Sequence, residues 1–325
     1  MTQQTGDRRR TAASVPDLVA RARAGQPAAV ARLISWVEDD SPLLREVMAA
    51  LAPHTGTAHV VGLTGAPGVG KSTSTNALVG ALRARGQRVA VLAVDPSSPF
   101  SGGALLGDRV RMGDHAVDPN VFIRSMASRG HLGGLAASTP QAIRVLDAAG
   151  FDTVLVETVG VGQSEVEIAG LADTTVILLA PGMGDGIQAA KAGILEVGDL
   201  YVVNKADREG ADLVRRDLRN MLSLAQRAEG SWRPKVLKVV AQSGEGIEEF
   251  VTEIGAHREW LETSGDLHRR RSARAKREVE AIATATLRAR WGALGASGIL
   301  DELAASVAAG ERDPYAAADV LLAGA

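Results

Sequence analysis

The stretch GAPGVGKS, running from Gly65 to Ser72, has the pattern G-x-x-x-x-G-K-[ST], and it stands between an apolar run, HVVGLT, and a segment with helical spacing. That context suits a loop that holds phosphates. Gly65, Gly68 and Gly70 admit backbone conformations closed to residues with a Cβ, so successive N–H groups can turn inward on phosphate oxygens, while Ala66, Pro67 and Val69 complete the loop. A helix starting near Lys71 adds its positive end. Lys71 is expected at the β- and γ-phosphates, Ser72 on Mg²⁺ and Thr73 at the α-phosphate.

The base is read further on. VVNKAD places Asn204, Lys205 and Asp207 at the end of a buried apolar run, where open α/β sheets hold their ligands. This stretch resembles the guanine-reading N-K-x-D element of GTP-binding proteins. The Asp207 carboxylate can accept from guanine N1–H and from the exocyclic amine, neither of which adenine offers. Two lost charge-assisted bonds at roughly 1.5–3 kcal/mol each would disfavour ATP by roughly 3–6 kcal/mol. In VVAQSGEG, Val240 stands where GTPases commonly carry serine, and Ala241 and Gln242 follow it. The contact expected from this loop is a main-chain N–H to the guanine O6.

Carboxylates complete the chemistry. Asp95 closes one apolar run and Asp108 lies in the following loop; both are candidate Mg²⁺ or water-shell ligands, because Mg²⁺ takes few protein carboxylates and keeps several waters. Glu157, at the tip of VLVET, is a third, and with Gly160 it looks like a D-x-x-G switch element carrying glutamate. The candidate catalytic set is therefore Lys71, Glu157, Asp95 and Asp108, and the candidate metal set Ser72, Asp95, Asp108 and Glu157. Asp95 and Asp108 also read as ordinary turn or capping residues.

Positioning these groups requires a sheet. HVVGLT, RVAVLAV, NVFIR, FDTVLVET, TTVILLAP, LYVVNK and PKVLKVV are short Val/Ile/Leu-rich runs, several apolar on both faces, separated by helix-length segments. The fold class is α/β, a doubly wound and mostly parallel sheet of P-loop type. Three regions are expected: an N-terminal helical region over 1–56, a nucleotide domain over 57–262 and a C-terminal helical arm over 263–325. The arm carries Arg269, Arg270, Arg271, Arg274, Lys276 and Arg277, beside the apolar Val279, Ile282, Ala283 and Leu287. It reads as a solvated face, a nucleic-acid arm or an oligomerisation arm.

Composition narrows the classes. The 325 residues hold 36 Lys+Arg against 38 Asp+Glu, a net charge of −2, so no global field draws the chain to nucleic acid or to anionic membrane. With no cysteine there are no disulfides, thiolate metal sites or cysteine nucleophiles. The start MTQQTGDRRR has no apolar run behind it, so neither a secretory signal nor a membrane span is expected there, and the expected compartment is cytoplasmic.

Four stretches then resemble one family. VDPSSPFSGGALLGDRVRM, RSMASRGHLGGLA, ETVGVGQSEVEIAGLAD and PGMGDGIQAAKAGILEVGDLYVVNKAD are similar to the MeaB/ArgK-type GTPases, methylmalonyl-CoA mutase-associated chaperones of the SIMIBI class, over about His59 to Glu253. The resemblance implies a G-protein metallochaperone that hydrolyses GTP slowly alone and faster with an adenosylcobalamin-dependent acyl-CoA mutase, gating cofactor loading and clearing damaged cofactor. It also implies Mg²⁺ with the nucleotide, no cobalamin on this chain, the cobalamin adenosyltransferase as a further partner, and homodimerisation through the C-terminal helices. Asp185 and Lys191, in the stretch matching the family's additional switch, become candidates for coupling nucleotide to partner. Arg129 and His131 match the family without a chemistry that spacing supplies.

Three rivals stand beside this reading. Nickel-inserting GTPases rely on His/Cys clusters, whereas the six histidines, at positions 54, 59, 115, 131, 257 and 268, are scattered. A kinase or ATPase serving amino-acid transport runs against Asp207. A regulatory module that binds GTP without turnover differs only in phosphate release.

Overall fold

A computed structural model describes residues 14–96, 113–115, 117–128, 138–158, 164–182, 197–224, 228–295 and 298–323. Seven strands form one sheet in the order β3-β2-β4-β1-β5-β6-β7: β1 His59–Thr64, β2 Val89–Pro96, β3 Val121–Ser128, β4 Thr153–Thr158, β5 Thr174–Leu179, β6 Leu200–Val203 and β7 Lys235–Lys238. Every pairing is parallel. All seven apolar runs are strands, and the doubly wound reading holds.

Burial on both faces explains those runs. In β1, β4 and β5 every residue is buried, so the alternation that marks a half-wetted strand is absent. Successive side chains still divide between two cores. Val61, Leu63, Leu155, Val176 and Leu178 share one with α4 (Lys71–Ala84) and α8 (Ile247–Ser264). Their neighbours Val60, Val154 and Val156 face the other, which holds α5 (Thr139–Ala148) and α6 (Ser164–Leu171). Ile177, Leu179, Tyr201 and Val203 pack with α7 (Ala211–Leu224).

The N-terminal helices belong to that second core. Pro16 and Pro27 begin α1 (Val15–Arg23) and α2 (Pro27–Glu38), and α3 is Leu44–Leu51. Leu18, Val30, Leu33, Ile34 and Val47 are buried in one cluster with Leu146 of α5 and Leu92 of β2. Arg124 of β3 pairs with Glu38 and reaches Ser35 at 3.2 Å. The chain then enters β1 through a loop held by one carboxylate: Asp147 Oδ2 accepts from the Gly56 N–H at 2.5 Å, and Oδ1 from the Thr57 and Ala58 N–H groups at 3.1 and 2.9 Å.

The chain divides into two compact units, the first ending at Leu267 and the second covering His268–Ala325. Helix α9 spans Asp266–Gly295, followed by α10 (Ile299–Ala308) and α11 (Pro314–Ala323). In the second unit Val279, Ile282, Leu287, Leu300, Tyr315 and Leu322 are exposed. Among the described residues no helix is long and apolar enough to cross a membrane.

Asp147→Ala strands three N–H groups at the entry to β1 and should cost about 1–3 kcal/mol, read as a lower urea midpoint at unchanged slope.

Candidate functional site

The carboxyl ends of β1, β2, β4 and β6 carry the residues singled out above, along the edge where open parallel sheets place ligands. β1 runs into Gly65, whose φ of +145° and close approach to the carbonyl of Leu178 leave no room for a side chain: a Cβ there would stand 2.2 Å from that oxygen. The loop closes at Gly70, φ +93°, which caps α4 with Lys71 as its first residue. Lys71 is buried, and its ammonium donates to the carbonyls of Gly65 and Ala66 at 2.8 and 3.1 Å. The cation therefore stands inside the loop. Pro67, Gly68 and Thr73 are exposed; Val69 is buried in the core under α4.

Glu157 is the last residue but one of β4, opposite this helix. Register places Leu63 of β1 and Ala93 of β2 beside it, and alternation turns it to the face that Leu155 shares with α4. It is 5% exposed, and Ser72 Oγ donates to its Oε1 at 2.6 Å. The structure thus brings together two of the four proposed metal ligands, a hydroxyl and a carboxylate. Asp95 sits two residues past the β2 partner of Glu157, at the same edge; its side chain lies outside the described residues. Asp108, Gly160, Asp185, Lys191, Arg129 and His131 lie outside them altogether.

The base motif is bound to the phosphate loop through Asn204. Its Nδ2 donates to the carbonyl of Val69 at 2.8 Å, and its Oδ1 accepts from the N–H groups of Lys205 at 2.8 Å and Ala241 at 3.1 Å. Lys205 adopts a left-handed φ of 56°, and its ammonium reaches the carbonyl of Gly68 at 2.7 Å. Gly70 makes space for the amide, since a Cβ there would lie 2.4 Å from Asn204 Nδ2. Beyond this clasp Asp207 and Gln242 are exposed. The N–H of Val240 donates to Glu245 O at 2.9 Å, closing its loop, and that of Ala241 is taken by Asn204. Three loops far apart in sequence are thereby joined.

Sequence spacing singles out Asn204 and Lys205 for the base; their bonds to the phosphate loop follow from strand order, which spacing does not contain. Thr75, whose hydroxyl also meets Glu157, escapes the motif reading, although its place three residues after Ser72 puts both on one helix face. Thr158 and Thr64 form a further buried pair, hydroxyl to hydroxyl at 3.1 Å. Two of the histidines are engaged at the opposite edge of the sheet, where Thr174 Oγ1 lies 2.7 Å from His59 Nε2 and 2.8 Å from His257 Nδ1.

Residues 30–294 match the sequence profile of the methylmalonyl Co-A mutase-associated GTPase MeaB family. The chain belongs to the MeaB family of GTPases. A relative from Pyrococcus abyssi (strain GE5 / Orsay) is 47% identical over 310 residues, 95% of this chain and 96% of its own length. GTPase ArgK of Escherichia coli (strain K12) is 39% identical over 262 residues, covering 78% of this chain and 79% of its own. The crystal structure titled LAO/AO transport system kinase superposes with a TM-score of 0.69 at 29% identity, covering 94% of this chain and 96% of that one. Membership of this MeaB family makes the chain a GTPase, a hydrolase of GTP, in keeping with a phosphate loop joined to a guanine motif.

Asn204→Ala removes the bonds to Val69 and Ala241 and should weaken GDP binding by about 2–3 kcal/mol, roughly 30- to 150-fold, in calorimetry on protein whose circular dichroism is unchanged.

Proposed function

We propose that this MeaB-family GTPase binds Mg²⁺·GTP across the joined loops and uses its nucleotide state to govern an adenosylcobalamin-dependent acyl-CoA mutase. The observation that carries the nucleotide reading is the Asn204 amide, which clasps Val69 of the phosphate loop and Ala241 of the base loop. The mutase reading rests on the family's description as mutase-associated.

The residues at the metal position suit a hard cation: a serine hydroxyl and a buried carboxylate 2.6 Å apart, oxygen donors of the kind Mg²⁺ takes. Ser72 would be its direct ligand, with Glu157, Asp95 and Asp108 holding its water shell. When bound, the ion would supply charge neutralisation on the phosphates. Lys71 provides a second positive charge from within the loop, and the amides from Gly65 to Thr73 fix the phosphates. Phosphoryl transfer to water needs positioning and charge neutralisation more than covalent help, and the role we assign Glu157 beside the water shell is to orient the attacking water. Asp207 selects guanine through its two donors. Turnover is slow alone and rises on the partner, with Gly160, Asp185 and Lys191 coupling nucleotide state to the mutase.

The exposed apolar residues of α9, Val279, Ile282 and Leu287, form a homodimer face; the protein works in the cytoplasm; and the adenosyltransferase is a second partner. Cobalamin passes between those enzymes and is not held by this chain.

Asp207→Ala should lose roughly 3–6 kcal/mol of preference for GTP over ATP, read by nucleotide competition; a retained preference would contradict the base-reading role. Phosphate release by the wild-type protein should rise on adding methylmalonyl-CoA mutase. An unchanged rate with that and related acyl-CoA mutases would contradict the partner assignment.

A further inference from the structure

The carboxylate of Glu157 is held by two hydroxyls of α4. Ser72 Oγ lies 2.6 Å from Oε1 and Thr75 Oγ1 lies 3.1 Å from Oε2, so each oxygen receives its own donor. Thr75 is fully buried and Glu157 nearly so. Thr75 Oγ1 also stands 3.0 Å from the carbonyl of Lys71, which leaves one proton facing two acceptors. That carbonyl already serves the helix's own ladder, which leaves the Glu157 oxygen as the acceptor that no backbone N–H of α4 claims.

A carboxylate bonded at one oxygen swings about its terminal bond, whereas bonds at both oxygens fix its plane. With the plane fixed, Ser72 keeps its proton on Oε1 and turns its lone pairs away from the carboxylate, which is the orientation a metal-ligating hydroxyl needs. We propose that Thr75 is a positioning residue that fixes the Glu157 carboxylate, and through it Ser72, for divalent-cation coordination. This inference rests on the Mg²⁺-dependent nucleotide site proposed above.

The test measures release of a fluorescent GDP from wild type, Thr75→Val and Thr75→Ser, chased with unlabelled GDP across a range of Mg²⁺ concentrations. In EDTA all three should release at the same rate. The near-isosteric valine should need about tenfold more Mg²⁺ to slow release half-maximally, the loss expected on removing a partner of a metal-site group. Serine keeps the hydroxyl and should follow wild type. A valine variant on the wild-type Mg²⁺ curve would overturn the proposal, as would one faster by the same factor in EDTA and in Mg²⁺, which marks a merely structural role. Should the valine variant fail to fold by circular dichroism, Thr75→Ala is judged on the same two criteria. Wild-type protein that fails to hold GDP, or whose release ignores Mg²⁺, would overturn the underlying site, a result distinct from a normal wild-type curve that valine does not shift.

Discussion

One primary amide joins three loops of the candidate nucleotide site. Asn204 uses its donor on Val69 and its acceptor on Lys205 and Ala241, so the loop after β1, the loop after β6 and the turn after β7 cannot move apart without leaving buried polar groups unpaired. The cost of such orphans is about 1–3 kcal/mol each. The clasp also dictates backbone chemistry around it: Gly70 must lack a side chain because the amide occupies that volume, and Lys205 is held in a left-handed conformation that few residues with a Cβ adopt. The loop of the G-x-x-x-x-G-K-S pattern and the N-K-x-D stretch thereby become one mechanical unit.

The sheet makes that unit possible. Parallel strands present all their carboxyl ends at one edge, and the order β3-β2-β4-β1-β5-β6-β7 inserts β4 beside β1, so Glu157 arrives under the first turn of α4. There the Glu157 side chain reaches the helix itself and engages hydroxyls on consecutive turns. Polar contacts in a buried setting are stronger and less forgiving than in water, so that carboxylate is held closely against the helix.

The strands were legible in the sequence because burial on both faces writes unbroken Val/Ile/Leu runs, and the loop and base motifs because their residue types are tied to backbone and hydrogen-bonding demands. Strand order was not legible: β4 follows β3 in the chain yet sits between β2 and β1. For the same reason the bond from Asn204 to Val69, across 135 positions, and that from Thr75 to Glu157, across 82, leave no periodic trace. The N-terminal residues read only as a helical region, since amphipathic spacing shows that a face is buried without showing against what; Leu33 and Ile34 lie in the same core cluster as Leu146 and Leu92.

Nucleotide selection by the intact protein is the direct measure of the joined loops. Titration calorimetry with Mg²⁺ present should show GTP binding at micromolar concentration or below, and ATP weaker by roughly 100-fold or more, as two lost charge-assisted bonds require. Equal affinity for the two nucleotides, or no association with GTP in that range, would contradict it.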